Sequence, residues 1–428
     1  MMKIKRNNLY QNVNLTHIET NKFKNNFISV SFLSNLTLEH ASEHALLPSV
    51  LLRGTSEHPN LQSMSKKMEE LYGSIFNPMV YKVGEIQVCG IYISCPEEDL
   101  LPKNSNVLEQ ALKFSGEIFQ HPYTTNSLFY EDYVSSESQK LCSKIRSIYN
   151  NKRAYAQFRC IQEMCSGENF AIPALGTISG AEAINAVRLF NEYQKLIKFA
   201  PVEVFYCGTK SIEEFEDIFS KVNVIPERQS PVCIHDTDIT MSPKVRQPAY
   251  KEEEANTEQT NLVMGFRLSK SMKFANLAAL QLFNILFGGA PTSKLFTSIR
   301  EAKSLCYFID SSINISKGIM LVSAGTDDSD VQTVIQEVNE ELDKMKRGII
   351  SNFEINTAKK TLINDVGILN DSASALEHFY IANAARKLFF TTTEYVKQIR
   401  AVDKNEIVSV AKNISLDQIF ILRSSSYN

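Results

Sequence analysis

No long tract of Lys and Arg stands anywhere in these 428 residues, and 45 basic side chains against 48 acidic ones leave a net charge of -3. A chain so balanced offers no electrostatic footprint for nucleic acid or for an anionic membrane surface. No stretch approaches the roughly 18 uncharged apolar residues that a membrane helix needs. The basic start, MMKIKRNNLYQNVNL, is not followed by the continuous apolar segment of a signal peptide. A soluble, cytoplasmic protein is the expectation. Paired cysteines are missing as well: Cys89, Cys95, Cys142, Cys160, Cys165, Cys207, Cys233 and Cys306 form no CxxC motif. Most sit among apolar neighbours, as in VCGIYISC, and read as buried reduced thiols in a reducing compartment. Phosphate-cradling glycine loops and nucleophile elbows are also absent from the sequence.

What is present is a duplication. The strand-like run NNFISVSFLSNL is followed by the apolar helical run ALLPSVLLRGT, a second helical pattern, LQSMSKKMEELYGSIF, and a further strand. The second half repeats the order with QTNLVMGFRLSKS, ANLAALQLFNILFGG and KLFTSIREAKSLCYFI. A single offset of 235 residues separates Phe27 from Leu262, Gly54 from Gly289 and Tyr72 from Tyr307. Both halves then continue with strands, an amphipathic helix with apolar residues three and four apart, and a long helix. Strands interrupted by a helix pair imply an α+β unit, a mainly antiparallel sheet with helices packed on one face. The chain is too long for one ordinary core, and two such units fill it: residues 1–225 and 256–428. Residues 226–255, rich in proline and polar side chains and closing on the acidic run KEEEA, read as a surface linker.

The strings LFGGAPTSKLFTSIREAKSLCY, HPYTTNSLFYEDYVSSESQKL and ALGT, set in two tandem α+β units, resemble pitrilysin-type peptidases, the insulinase and mitochondrial-processing-peptidase family. The resemblance covers nearly the whole chain. It implies that two such chains or halves enclose unstructured peptides, one side carrying zinc on an HxxEH helix and the other gripping the peptide with an Arg and a Tyr. The Tyr position falls on Tyr307. The Arg position falls on Lys303, a point charge without the planar fork of guanidinium, and Arg300, one turn earlier, is a second donor. The resemblance also places the Gly288-Gly289 loop toward the peptide channel. Read locally, that pair is the left-handed stop expected after an apolar helix.

His40-Ala41-Ser42-Glu43-His44 spells HxxEH, in which histidines four apart on a helix can share a metal while the Glu activates its water. The register of the resemblance is different. Nine residues before Gly54 stands Ala45, so the family's His, Glu and His positions read Ala45, Pro48 and Ser49. HASEH lies five residues too early, about 7.5 Å along a helix axis. Pro48 crowds the carbonyl of residue 44 and argues against one straight helix through both residues. The third-ligand position falls at Ser143 or Lys144, with Glu131 and Glu137 upstream.

The expectation is therefore no metal and no cofactor in this chain. HASEH reads as an exposed polar turn leading into the helix. Zinc is expected in an HxxEH-bearing partner of the same family, and this chain is expected to be the catalytically inactive, peptide-binding subunit of a zinc peptidase. Two alternatives stay open: an active peptidase using a displaced site of His40, His44 and Glu137 with Glu43 as base, and a structural core-type subunit with no peptidase role.

Overall fold

Two sheets carry the chain, and they share one strand order. The computed structural model describes residues 2–226, 232–237, 247–268 and 277–425. The first half supplies β1 (Lys3–Tyr10), β2 (Val13–Glu19), β3 (Asn25–Asn35), β4 (Ile75–Val83), β5 (Ile86–Pro96), a small hairpin of β6 (Thr124–Thr125) and β7 (Leu128–Phe129), and β8 (Val202–Gly208). The second half supplies β9 (Ala249–Ala255), β10 (Thr260–Leu268), β11 (Phe308–Asn314), β12 (Ile319–Thr326) and β13 (Ile414–Ser424). The first sheet runs β1-β2-β8-β3-β5-β4 and the second β9-β13-β10-β12-β11, so the second repeats the first without β1. In each, one strand pair is parallel, β2 with β8 and β9 with β13, and the rest are antiparallel. The duplication read from the sequence is thus a duplication of topology, and the α+β class holds.

Alternate strand residues build the first core. Val30, Phe32, Ile91 and Ile93 face Leu47, Leu112 and Phe119 from the helices Ala41–Leu51 and Val107–Gln120. Yet β3 is buried on both faces over most of its length, because a helix from the other half of the chain covers the second face. The compact units are Met1–Arg146 with Ile172–Asp236 and Ser372–Phe389, and Ser147–Ala171 with Thr237–Asp371 and Phe390–Asn428. The helix Ala373–Ala385 packs on β3 and β8, and the helix Lys152–Met164 on β10, β12 and β13. In the second unit Ala156, Cys160 and Met164 meet Val263, Leu321 and Phe420. A strand covered on both sides shows no hydrophobic alternation, which is how β8 and β10 come to read as continuous apolar runs.

Several expectations need correction. The offset of 235 does not hold inside the strands. Phe27 stacks on Tyr92 and meets Phe205 edge-on, on the face covered by Tyr380, whereas in the second sheet Val263, not Leu262, faces the covering helix. A shift of one residue exchanges the faces of a strand, so the structural register between β3 and β10 is one residue away from the sequence offset. Tyr72 and Tyr307 are not conformational equivalents either. Tyr72 takes φ 57° ahead of β4, a bend made before β11 by Ser304 at φ 53°.

The expected linker is part structure. Residues 227–231 and 238–246 lie outside the described residues, as do 269–276 of the second-half strand and helix readings. The acidic run is β9, an edge strand whose side chains are nearly all exposed, and that exposure is why it reads as linker. Finally, Gly288 and Gly289 end a π-helical turn, Ile285–Gly289, without left-handed backbone. What requires glycine is close approach: a Cβ on Gly288 would stand 2.8 Å from the Ser311 nitrogen, and one on Gly289 2.7 Å from Asn284 Nδ2.

Candidate functional site

In the first unit the helix Ala41–Leu51 runs through both His44 and Pro48. The proline is accommodated inside it, with Leu52 N–H donating to its carbonyl at 3.3 Å. At the family's zinc positions, Ala45 and Pro48 are buried and neither they nor Ser49 is a metal ligand of the required type. HASEH is not an exposed turn: Glu43 and His44 are 2% and 4% exposed. His44 Nδ1 lies 3.1 Å from Gln87 Oε1 and 2.9 Å from Ser34 Oγ, and its Nε2 lies 3.0 Å from Glu192 Oε1. The orientation of Gln87 is fixed, because its Nε2 donates to the Ala41 and Ala174 carbonyls at 2.9 and 2.6 Å. Both imidazole nitrogens are therefore engaged by side chains of the protein itself and are not turned toward an open ligand position.

Glu43 is equally committed. One carboxylate oxygen takes the Arg188 guanidinium, and the other stands 2.9 Å from His40 Nδ1. Glu192, on the helix Ala186–Phe199, completes the cluster, its Oε2 3.6 Å from His40 Nδ1 and 3.1 Å from Lys195 Nζ. Burial raises the Glu192 carboxyl, but the hydrogen bond and charge of His44, the charge of His40 and a hydrogen bond from Lys195 outweigh it and hold the group at about 2. Glu137, the ligand of the displaced-site alternative, is elsewhere: it binds Arg53 at 3.0 Å and Lys140 at 2.7 Å. The sequence reading missed Glu192, Gln87 and Arg188. No spacing rule could have found them, since they meet HASEH only through the fold.

In the second unit, a π-helical turn over Phe296–Glu301 and the bend at Ser304 bring Arg300, Glu301, Leu305, Cys306, Tyr307 and Asp327 around a cavity of about 450 Å³. Tyr307, 58% exposed, donates to Asp327 Oδ1 at 3.0 Å. That bond, with the Asp327 charge, raises its phenol above the usual value. Arg300 lies over the Phe296 ring at 4.6 Å. Lys303 is not in this wall and pairs with Glu337. Gly288 and Gly289 are not in it either, although Gly288 backs onto β11, the edge strand that Tyr307 leads into.

The sequence pattern of the family described as "Peptidase M16 inactive domain" matches residues 159–362. The chain is 29% identical over 408 residues, 95% of each chain, to "Probable inactive metalloprotease YmfF" of Bacillus subtilis (strain 168). Among solved structures, a conserved protein from Enterococcus faecalis V583 is 28% identical with a TM-score of 0.88, covering 99% of both chains. A peptidase M16 inactive domain from Pseudomonas fluorescens, 15% identical, shares the fold with a TM-score of 0.80 over 99% of both chains. In the pattern over residues 159–362 and in its likeness to YmfF along 95% of its length, the chain resembles the pitrilysin-type, M16 peptidase family. Within that family, the likeness is to the inactive, metalloprotease-like kind. Among the described residues no helix is long and apolar enough to cross a membrane.

Proposed function

We propose that this chain is the peptide-holding subunit of a zinc peptidase, working in a reducing cytoplasm beside a second pitrilysin-type chain with an intact HxxEH helix and third Glu. The observation that carries the reading is the state of the first-unit helix. Its family ligand positions are Ala45, Pro48 and Ser49, and its displaced HxxEH has His44 turned onto Gln87 and Glu192 and Glu43 held by Arg188. The pair of histidine ligands with a free carboxylate base that metal-assisted hydrolysis needs is not assembled.

The zinc of the partner supplies a Lewis acid for the scissile carbonyl. This chain's residues bind and orient. An extended peptide adds to the β11 edge by main-chain hydrogen bonds, which tolerate many sequences. Arg300 and Tyr307 at the start of that edge donate to peptide carbonyls or to a terminal carboxylate. Lys303 contributes less than the sequence suggests, because reaching a peptide means leaving Glu337.

The test is reconstitution with an HxxEH-bearing partner and an unstructured peptide. Arg300→Ala lowers kcat/KM by roughly 10-fold or more, as expected for loss of a charged hydrogen bond of about 1.5–3 kcal/mol. Peptide cleavage by the isolated chain would sink the proposal. Unchanged activity of the reconstituted Arg300→Ala pair would favour a purely structural subunit.

A further inference from the structure

The His40, Glu43 and Glu192 side chains remain unexplained by a peptide-holding role. We infer that His40 Nδ1, Glu43 Oε2 and Glu192 Oε2 form a non-catalytic binding site for a divalent transition-metal ion of the zinc type, distinct from the family's ligand positions at Ala45, Pro48 and Ser49. His40 Nδ1 lies 2.9 Å from the Glu43 oxygen and 3.6 Å from the Glu192 oxygen, and ligand atoms from the three residues all lie within 4.8 Å of one another. A four-coordinate zinc with bonds near 2.0–2.1 Å spaces its ligands about 3.3 Å apart, so an ion fits between these three with little movement.

Two further observations point the same way. The second oxygen of each carboxylate already has a partner, Arg188 on Glu43 and His44 on Glu192, and His44 is itself fixed by Gln87 and Ser34. That is the outer ring of hydrogen bonds that orients metal ligands. The cluster also opens on a cavity of about 230 Å³ lined by His40, His44, Glu192, Thr37, Leu33 and Leu196. In that wall the Thr37 hydroxyl oxygen is buried without a hydrogen-bond partner among the described residues. The cavity supplies room for a fourth, exchangeable ligand. With Glu43 serving as a ligand, no base is left for a bound water, so the site is not a peptidase centre.

A competitor is Lys195, whose ammonium stands 3.1 Å from the Glu192 oxygen the ion would take, on a side chain 62% exposed. This gives the inference a test with a signed outcome. The full chain, stripped with chelator, is titrated with Co2+ followed by visible absorption and with Zn2+ by calorimetry. One equivalent of four-coordinate Co2+ is expected. His40→Ala and Glu192→Gln should each weaken binding at least about 10-fold, while Lys195→Ala, an exposed change that leaves the fold intact, should tighten it several-fold. No stoichiometric binding, or an affinity that Lys195→Ala leaves unchanged or lowers, overturns the site. Neither result bears on the peptide-holding role, which is tested separately by the isolated chain's lack of cleavage and by the reconstituted Arg300→Ala pair.

Discussion

The two units are built on one plan and diverge where charge is buried. Both present an apolar helix to the inner face of a sheet of the same strand order. In the first unit that helix opens on His40, Glu43 and His44, whereas its counterpart Leu277–Asn284 reads LAALQLFN, with no ionisable side chain. On the outer face the contrast reverses. The helix Lys152–Met164 lays Ala156 on the second sheet, but beyond its end Glu168 joins Arg267, Lys317 and Asp417 in a buried ion network. The helix Ala373–Ala385 has Glu377 at the matching fifth position, buried and accepting a hydrogen bond from Ser29 at 2.9 Å. Topology follows the apolar pattern and survives duplication. A buried polar group must be satisfied by its immediate neighbours, and those neighbours differ between copies.

The sharpest break of the comparison is in the Arg267 network. Arg267 has no exposed side-chain surface and bonds Asp417 at 2.5 Å, Glu168 at 2.7 Å and the Met164 carbonyl at 2.6 Å. Arg267→Ala leaves two buried carboxylates with too little positive charge and should cost about 3–5 kcal/mol in urea unfolding followed by circular dichroism. Glu168 reports the same network through pH. Burial raises its carboxyl, but Arg267 and Lys317 prevail and hold it at about 2. Its folded pKa is depressed, so its contribution is present above the ordinary value of 4.5 and is lost as pH falls through about 2.

Glu377 should behave oppositely. Burial pushes it up to about 7 against the Ser29 hydrogen bond. The fold therefore favours the protonated acid, and that contribution is complete below 4.5 and lost as pH rises through about 7. The native protein should lose up to roughly 3 kcal/mol between about pH 5 and pH 8, and Glu377→Gln should flatten the loss, leaving the variant the more stable protein at the alkaline end. A denaturation series across pH checks it. An unchanged slope in the variant would mean that Glu377 is not the group responsible.

Importing the second unit's chemistry into the first sharpens the contrast further. The double substitution Glu43→Ala, His44→Ala matches the apolar counterpart helix but strands Gln87, Glu192 and Arg188. It should destabilise by about 1–3 kcal/mol, measured by thermal unfolding, although alanine is the better helix former.

These contrasts mark what a sequence can carry. The α+β class, the repeat and the family were legible because apolar periodicity and the string around Lys294-Leu295-Phe296 are local in the chain. The crossing helices were not: nothing in KRAYAQFRCIQEM says which sheet it covers, and that choice rests on long-range contacts of Cys160 and Met164. The glycines at 288 and 289 were rightly seen as a helix end, but for a conformational reason where the cause is steric. HASEH was visible as a motif and its burial was not, since its partners at Gln87 and Glu192 lie 43 and 148 residues from His44. His17 is hidden from the sequence for the same cause. It is buried and stacked on Tyr206 at 5.0 Å, a contact that only the parallel pairing of β2 and β8 creates.

The smallest expected effect separates the two tyrosines that the sequence offset makes equivalent. Tyr72 and Tyr307 are both exposed and both precede an edge strand, β4 or β11. Only Tyr307 shares a cavity wall with Arg300 and has a carboxylate, Asp327, orienting its hydroxyl. If the grip belongs to the second unit, Tyr307→Phe in a reconstituted pair should lower kcat/KM by about 2- to 10-fold, the 0.5–1.5 kcal/mol of one neutral hydrogen bond, with thermal stability unchanged because the side chain is solvated. Tyr72→Phe should change neither quantity. Equal losses from both would place a peptide contact on each unit and make the duplication functional as well as structural. A loss from Tyr72→Phe alone would move the grip to the first sheet.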